Sequence, residues 1–327
     1  MSNLNGTTVR ADTLTVDRMA GLPPAVRKKT PKIIKYAPYF VLMAPALLYF
    51  LIFKYVPMFG IVVAFQNFKP FLGFWGSPWV GFGQFATLFN TPLFWQNFWN
   101  TLIISLLKLA FGFPAPVILA LLLNELRSNR FKRVIQSVSY LPHFLSWMVL
   151  GGIIMLIFDG NTGIVPQTLD AIGFGRAQFL TDPHLFRTLI VGTSVWKEVG
   201  WGTVVYLAAI TGINPELYEA ATIDGAGRFK QMWYVTLPMM KSVIVVLLIL
   251  RLGSIMDVGF QQILVLYNPN VYSVGDVLDT YVYRVGLTGT LQVSFATAAG
   301  LFKSIIGLVL VYGANKLAGA MGEYGIW

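Results

Sequence analysis

The sequence predicts an all-α membrane protein with six transmembrane helices and both termini in the cytoplasm. Three observations lead there. Of its 327 residues, 56% are hydrophobic and only 12% charged, about half the charged share of an ordinary soluble domain. The apolar residues are gathered into runs approaching the roughly 20 residues that cross a bilayer core as a helix. Lys and Arg, finally, are concentrated in alternate connections between those runs, the pattern that orients a polytopic protein with its basic loops inside.

The runs are 37–53, 101–123, 138–158, 188–212, 242–256 and 294–315. The first is short, but its apolar character resumes at Met58 after the interruption 54–57, and the fifth extends from Met239 past Asp257. One set of connections holds Arg10, Arg18, Arg27, Lys28, Lys29, Lys32 and Lys35, then Arg127, Arg130, Lys132 and Arg133, then Arg228, Lys230 and Lys241, and last Lys316. The opposite set holds Lys54, Lys69, Arg176, Arg187 and Arg284. The first set is therefore expected in the cytoplasm. The net charge of +10 is accordingly a topology signal, reinforced by attraction of the run "VRKKTPKIIK" to anionic headgroups. Membrane lipid is an expected partner and nucleic acid is not. The chain has no cysteine, which excludes disulfides, thiolate chemistry and Cys-based metal sites.

Residues 1–30 are polar and read as a flexible cytoplasmic tail, ahead of a transmembrane domain over 31–327. No apolar core with a small-residue cleavage site stands near the start, so no removable signal peptide is expected. The connection 54–100 is crowded with Phe and Trp and should lie along the membrane–water interface. The connection 259–293 carries "NPN", a turn signal. No internal repeat is visible.

Between the fourth and fifth runs lies a cassette of moderate polarity, 214–238. Asn214-Pro215 starts a helix, with Asn capping and Pro at a position whose N–H would be unpaired anyway. "ELYEAAT" supplies good helix formers, Asp224-Gly225 turns the chain, and "RFKQMWYV" adds another amphipathic turn or two before Pro238. The product is a short helical hairpin, small-faced at Ala220 and Ala221 and charged at Glu219, suited to a groove on a cytoplasmic partner.

This stretch resembles the signature loop of ABC-importer permeases, matching at Glu219, Ala220, Ala221, Asp224, Gly225, Ala226, Leu237 and Pro238, with Met232 where the family usually has Phe. "VGFGQFATLFNTPLFWQNFWNT" is similar to the segment leading into the transmembrane domain of sugar-importer permeases. "GFQQILVLYNPNVYSVGDVLDTYVYR" resembles the subgroup for complex or acidic oligosaccharides, which includes alginate and aldouronate importers. The resemblance implies the type I ABC importer permease fold in a bacterial inner membrane. It implies a hetero-dimer with a second permease subunit, two ABC ATPase subunits and a substrate-binding protein that delivers the oligosaccharide. Glu219, Ala220, Ala221, Asp224, Gly225, Ala226, Arg228 and Phe229 would couple to the ATPase, whose own chain would bind ATP and Mg. This chain has no Gly-rich phosphate loop, and no cofactor or catalytic residue is expected in it.

Six ionisable residues fall within the expected spans: Lys108, Lys197, Glu198, Arg251, Asp257 and Lys303. Such groups are costly in a bilayer core unless they face a cavity or a partner. Their basic surplus suits a path carrying polyuronate, since cations orient carboxylates; the competing reading is structural pairing inside the bundle, for example Lys303 with Asp257. Lys197 and Glu198 project about 100° apart on a helix, so different partners are expected. By register from the signature loop, Glu198 and Trp201 fall where maltose-type permeases line their sugar site, although Trp201 as plain packing is equally open. The expected substrate path is therefore Glu198, Trp201, Lys197, Arg251, Asp257 and Lys303.

His143 and His184 have no acidic neighbour in sequence, and no metal site is expected. Gly151-Gly152 and Gly200-x-Gly202 should permit close helix packing, and Pro114, Pro116 and Pro142 should kink their spans. A stand-alone secondary carrier would need a coupling-ion site and often paired repeats, and would leave the cassette unexplained. A membrane enzyme would need clustered His, Asp or Glu at span ends.

Overall fold

The computed structural model describes residues 32–289 and 291–320; the expected tail 1–30 lies outside them. The chain divides into two units, Met1–Phe59 and Gly60–Trp327. Among the described residues there is no strand, only an isolated bridge between Gln66 and Trp79.

In the first unit, α1 (Lys32–Phe50) continues through a widened π turn at Leu51–Tyr55 into Val56–Met58. Pro57 explains the widening: its ring would strike the carbonyl of the preceding turn, and an extra residue in that turn relieves the clash. The same device recurs at Met232–Thr236, two residues before Pro238. Almost every described side chain of this unit is exposed.

The second unit contains α2 (Pro92–Gly112), α3 (Pro114–Glu125), α4 (Asn129–Phe144), α5 (Trp147–Phe158), α6 (Pro183–Thr211), α7 (Pro215–Ile223), α8 (Lys241–Gly253), α9 (Phe260–Leu266), α10 (Leu278–Tyr283) and α11 (Val293–Ala320), joined by shorter turns. Helix α6 is the hub, packed against α2, α3 and α4, while α5 packs on α9 and α8 on α11. One apolar core gathers Ile104, Leu150, Phe186 and Ile190 with Ile263 and Leu266. A second joins Phe94, Leu278, Tyr281 and Ala299. A third, around Val117, Ala120, Tyr206 and Met240, stands next to the cassette.

Among the described residues, three helices are long and apolar enough to cross a membrane: Pro38–Phe65, Pro92–Glu125 and Val293–Lys316. Counting each of two bent pairs as one span makes five. Helix α6, where the fourth span was expected, has 29 residues but carries Lys197 and Glu198 at its middle. The expected third span, 138–158, is not a straight helix: α4 and α5 meet at 108°. Pro142 lies in the last turn of α4, which ends at Phe144, and Ser146 caps α5 by accepting from the Val149 N–H. The fifth is also bent, by 59° between Arg228–Met239 and α8.

Glycines set the closest approaches. A Cβ on Gly200 would collide with the backbone carbonyl of Ser139, one on Gly202 with Pro116 and one on Gly151 with Val265, whereas Gly152 has open space around it. The close-packing expectation thus holds for three of the four.

Candidate functional site

Two regions carry the residues singled out from the sequence. The first is the cassette. Asn214 caps α7 by accepting from the Glu216 N–H. The helix ends with the Ala226 N–H on the Ala221 carbonyl (2.9 Å) and the Gly225 N–H on the Thr222 carbonyl (3.0 Å). That double bond pattern requires a left-handed residue past the cap, and Gly225 supplies it at φ 77°. Gln231 then donates to Thr222 Oγ1 (2.9 Å) and to the Ala226 carbonyl (3.0 Å), closing the hairpin. The Tyr218 hydroxyl meets Thr236 Oγ1 at 3.0 Å.

Glu219, Ala220, Asp224, Gly225 and Arg228 are exposed on this knob, with Ala221 and Ala226 half-buried. Phe229 is 71% exposed and Ile223 86%. Ile223 was not singled out from the sequence, because a lone Ile after a small-residue run has no signature of its own. Arg228 also reaches back, donating to the Glu125 carbonyl at the end of α3 (3.2 Å).

The second region is a cavity of about 220 Å³ lined by Lys108, Phe113, Glu198, Trp201, Tyr206 and Arg251, among others. Three of the six expected path residues, Glu198, Trp201 and Arg251, are therefore brought together, from helices α6 and α8. Beside Trp201, the His143 ring lies parallel to the indole at 4.7 Å, and its Nδ1 is 3.0 Å from Glu198 Oε2. His143 does have an acidic partner, supplied by α6 from 55 positions away. The Arg251 guanidinium has no hydrogen-bond partner among the described residues.

The other three are placed elsewhere. Lys197 is buried at 6% exposure and donates to the carbonyls of Pro142 (3.1 Å), His143 (2.8 Å) and Leu145 (2.7 Å). Its three N–H bonds are thereby all used. Lys303 pairs with Asp279 at 2.5 Å, not with Asp257. Asp257 accepts from the Gly259 N–H (3.3 Å) beside a small gap shared with Ser105 and Arg251. Among the described residues no three His, Asp or Glu side chains converge as metal ligands.

The sequence profile described as "binding-protein-dependent transport system inner membrane component" matches residues 112–318. The chain belongs to that family. It is a membrane permease subunit of the ABC-importer type, non-catalytic in itself. This permease is 47% identical over 288 residues to the protein LplB of Bacillus subtilis, covering 88% of this chain and 90% of that one. It is 46% identical over 296 residues to the polygalacturonan/rhamnogalacturonan transport system permease protein YteP of the same organism, covering 90% and 92%. Its fold superposes on a chain of a bacterial ABC transporter involved in import of the acidic polysaccharide alginate, with TM-score 0.82 and 41% identity over 88% of this chain and 97% of that one. A second structure, of the bacterial alginate transporter in complex with an alginate pentasaccharide-bound periplasmic protein, gives TM-score 0.83, 40% identity and coverages of 90% and 98%.

Proposed function

We propose that this permease forms half of the translocation path for an acidic oligosaccharide of the uronate type, driven by ATPase subunits that seat the hairpin at 214–238. The observation that carries the substrate reading is the cavity where Arg251, with no hydrogen-bond partner among the described residues, faces a site also lined by Trp201 and Glu198. A guanidinium fork matches a carboxylate in two parallel hydrogen bonds. An indole offers an apolar face to a pyranose ring, and a carboxylate accepts its hydroxyls. That YteP is a polygalacturonan/rhamnogalacturonan permease and the structural neighbours import alginate supports the acidic class.

The partner reading rests on the exposed hairpin: Ile223 and Phe229 stand out beside Ala220 and Glu219, an apolar and acidic knob left uncovered among the described residues. The partners are a second permease, two ATPase subunits that bind ATP and Mg, and a substrate-loaded binding protein.

Gentle detergent purification from the native membrane, with mass spectrometry of what accompanies the chain, tests the assembly. An ATPase and a second multi-span permease are expected. A chain that comes out alone after prior cross-linking sinks the reading and favours a stand-alone carrier. Uptake of defined oligosaccharides by the reconstituted complex tests the substrate: uronate oligomers should be taken up and should compete better than neutral ones of equal length.

A further inference from the structure

One span of this permease is bent between α4 and α5, the helix is interrupted again between α8 and α9, and each of these junctions meets a buried lysine from a neighbouring helix. At the first, α4 ends at Phe144 and α5 departs at 108°. The last carbonyls of a helix have no partner within it, and in a membrane water is not there to take them. The Lys197 ammonium, projecting from the middle of α6, donates to the carbonyls of Pro142 and His143 in the last turn of α4 and of Leu145 just past it, at 2.7–3.1 Å. The Trp147 ring, first residue of α5, lies 5.6 Å from the same ammonium. Lys197 thus touches both arms of the bend.

At the junction between α8 and α9, the buried Val258 carbonyl precedes Gly259, a left-handed residue at φ 82°. Lys108 of α2 donates to that carbonyl at 2.8 Å and to Gln262 Oε1 at 2.5 Å. Gln262 in turn donates to the Ile190 carbonyl (2.8 Å) and Thr193 Oγ1 (2.9 Å) of α6. The arms beyond the two junctions, α5 and α9, pack on one another through Gly151 against Val265.

The geometry points to Lys197 and Lys108 as positioning residues that pin the α4–α5 bend and the α8–α9 junction, rather than as contacts for the substrate. For Lys197, a positive charge at the C-terminus of α4 is favoured by the helix dipole; for both lysines, the hydrogen bonds the ammonium makes are what make its burial tolerable. Because the helices can pivot at these junctions, the pins set the angle from which the path opens and closes.

The chain lacks cysteine, so spin labels on engineered cysteines at Val138 and Leu156, both exposed, report the α4–α5 angle in a transporter assembled with cysteine-free partner subunits. A narrow distance distribution is expected for the parent and for Lys197→Arg, whose guanidinium still reaches carbonyls, and a broad or shifted one for Lys197→Met. An unchanged distribution in Lys197→Met overturns the pin, as does a Lys197→Arg protein as disordered as Lys197→Met.

The transport arm rests on the function proposed above. Lys197→Met and Lys108→Met should lower the maximal rate about tenfold or more, with KM little changed, for acidic and neutral oligosaccharides alike. A selective rise in KM for the acidic ones makes the lysines substrate contacts and overturns the assignment. If Lys197→Met does not accumulate, Lys197→Arg decides: it should transport within about threefold of the parent, and a rate below a tenth of it is fatal. Should the parent take up no oligosaccharide at all, the functional reading fails while the label distances still judge the pin.

Discussion

His143 lies flat on Trp201, with ring centroids 4.7 Å apart and planes within 3°. The two rings come from α4 and α6, and Glu198 holds His143 by its Nδ1 at 3.0 Å. Phe144 adds an edge-on contact to the same indole at 5.9 Å. The indole orientation at the cavity is therefore set by packing before any ligand arrives, which removes an ordering cost from binding. Trp201 remains 48% exposed, so part of it is available to a sugar ring. Trp201→Ala should raise KM for oligosaccharide uptake about tenfold, the equivalent of one aromatic stack, while Trp201→Phe should lose less. Uptake kinetics in proteoliposomes measure both; equal KM in all three proteins would remove Trp201 from the path.

The crossing of α4 and α6 depends on Gly200, where any Cβ would meet the Ser139 carbonyl and the Tyr140 amide. Backbone cannot move aside as a side chain can. Gly200→Ala should destabilise the purified complex by about 1–3 kcal/mol, the usual cost of overpacking, and lower its melting temperature. Gly152→Ala, on a site with open space, is the matched control and should melt like the parent.

What the sequence made legible was local chemistry. Asn214-Pro215 and Gly225 each impose a backbone conformation through their own atoms, so the hairpin could be read from its residues and appears where they put it. The bend at 144–147 was hidden because an apolar run looks alike straight or broken; only Pro142 and the Ser146 cap signalled it. The pairing of the intramembrane charges was not legible at all. Lys303 meets Asp279, 24 positions away, and Glu198 meets His143 across 55. Such partners are chosen by how helices pack, which leaves no mark at either residue. Lys197 shows the consequence: charge and position alone placed it in the path, whereas three carbonyls occupy it.

Gly225 allows a sharper test of the hairpin. At φ 77° a β-branched residue is strained by about 1–2 kcal/mol, enough to fray a short, exposed α7. Gly225→Val should abolish uptake and ATPase stimulation while leaving membrane insertion at parental levels. Gly227, at φ −70° with nothing within 4 Å, should tolerate Ala. Normal uptake by Gly225→Val would remove the coupling role from the hairpin.

The connection 259–293 is organised by Asp276, which is 1% exposed. Its carboxylate accepts from both arms of Arg284, at 2.5 and 3.2 Å, and from Thr280 Oγ1 at 2.7 Å. Arg284 lies over the Tyr272 ring at 4.9 Å. Asn100 donates to the Asp276 carbonyl and accepts from Arg187, tying the connection to α2 and α6. Arg284→Ala leaves a buried carboxylate without its cation. The loss should be about 3 kcal/mol, the low end for such a break, because Arg284 keeps 30% exposure and is partly screened. Asp276→Asn with Arg284→Ala should recover part of it, since the stranded charge is gone. Thermal melting of the four proteins completes a double-mutant cycle, and purely additive losses would mean the pair is uncoupled.

Arg251 and Lys303 carry the same charge in the same bundle but stand in different surroundings, and transport should separate them. Lys303 is 21% exposed and bound to Asp279 at 2.5 Å, so neutralising it strands a carboxylate and loosens α10 on α11 whatever the substrate. Arg251 faces the cavity with no hydrogen-bond partner among the described residues, so neutralising it breaks no hydrogen bond inside the bundle, although it shares a small gap with Asp257 and Lys108. Arg251→Gln should cut uptake of uronate oligosaccharides about tenfold or more, the value of a charge-assisted contact, and spare neutral ones of equal length. Lys303→Gln should depress both equally, and Lys303→Gln combined with Asp279→Asn should restore part of the loss. If Arg251→Gln depresses both substrates equally, the cavity does not discriminate by charge, and acidic specificity must be set before the sugar reaches this permease.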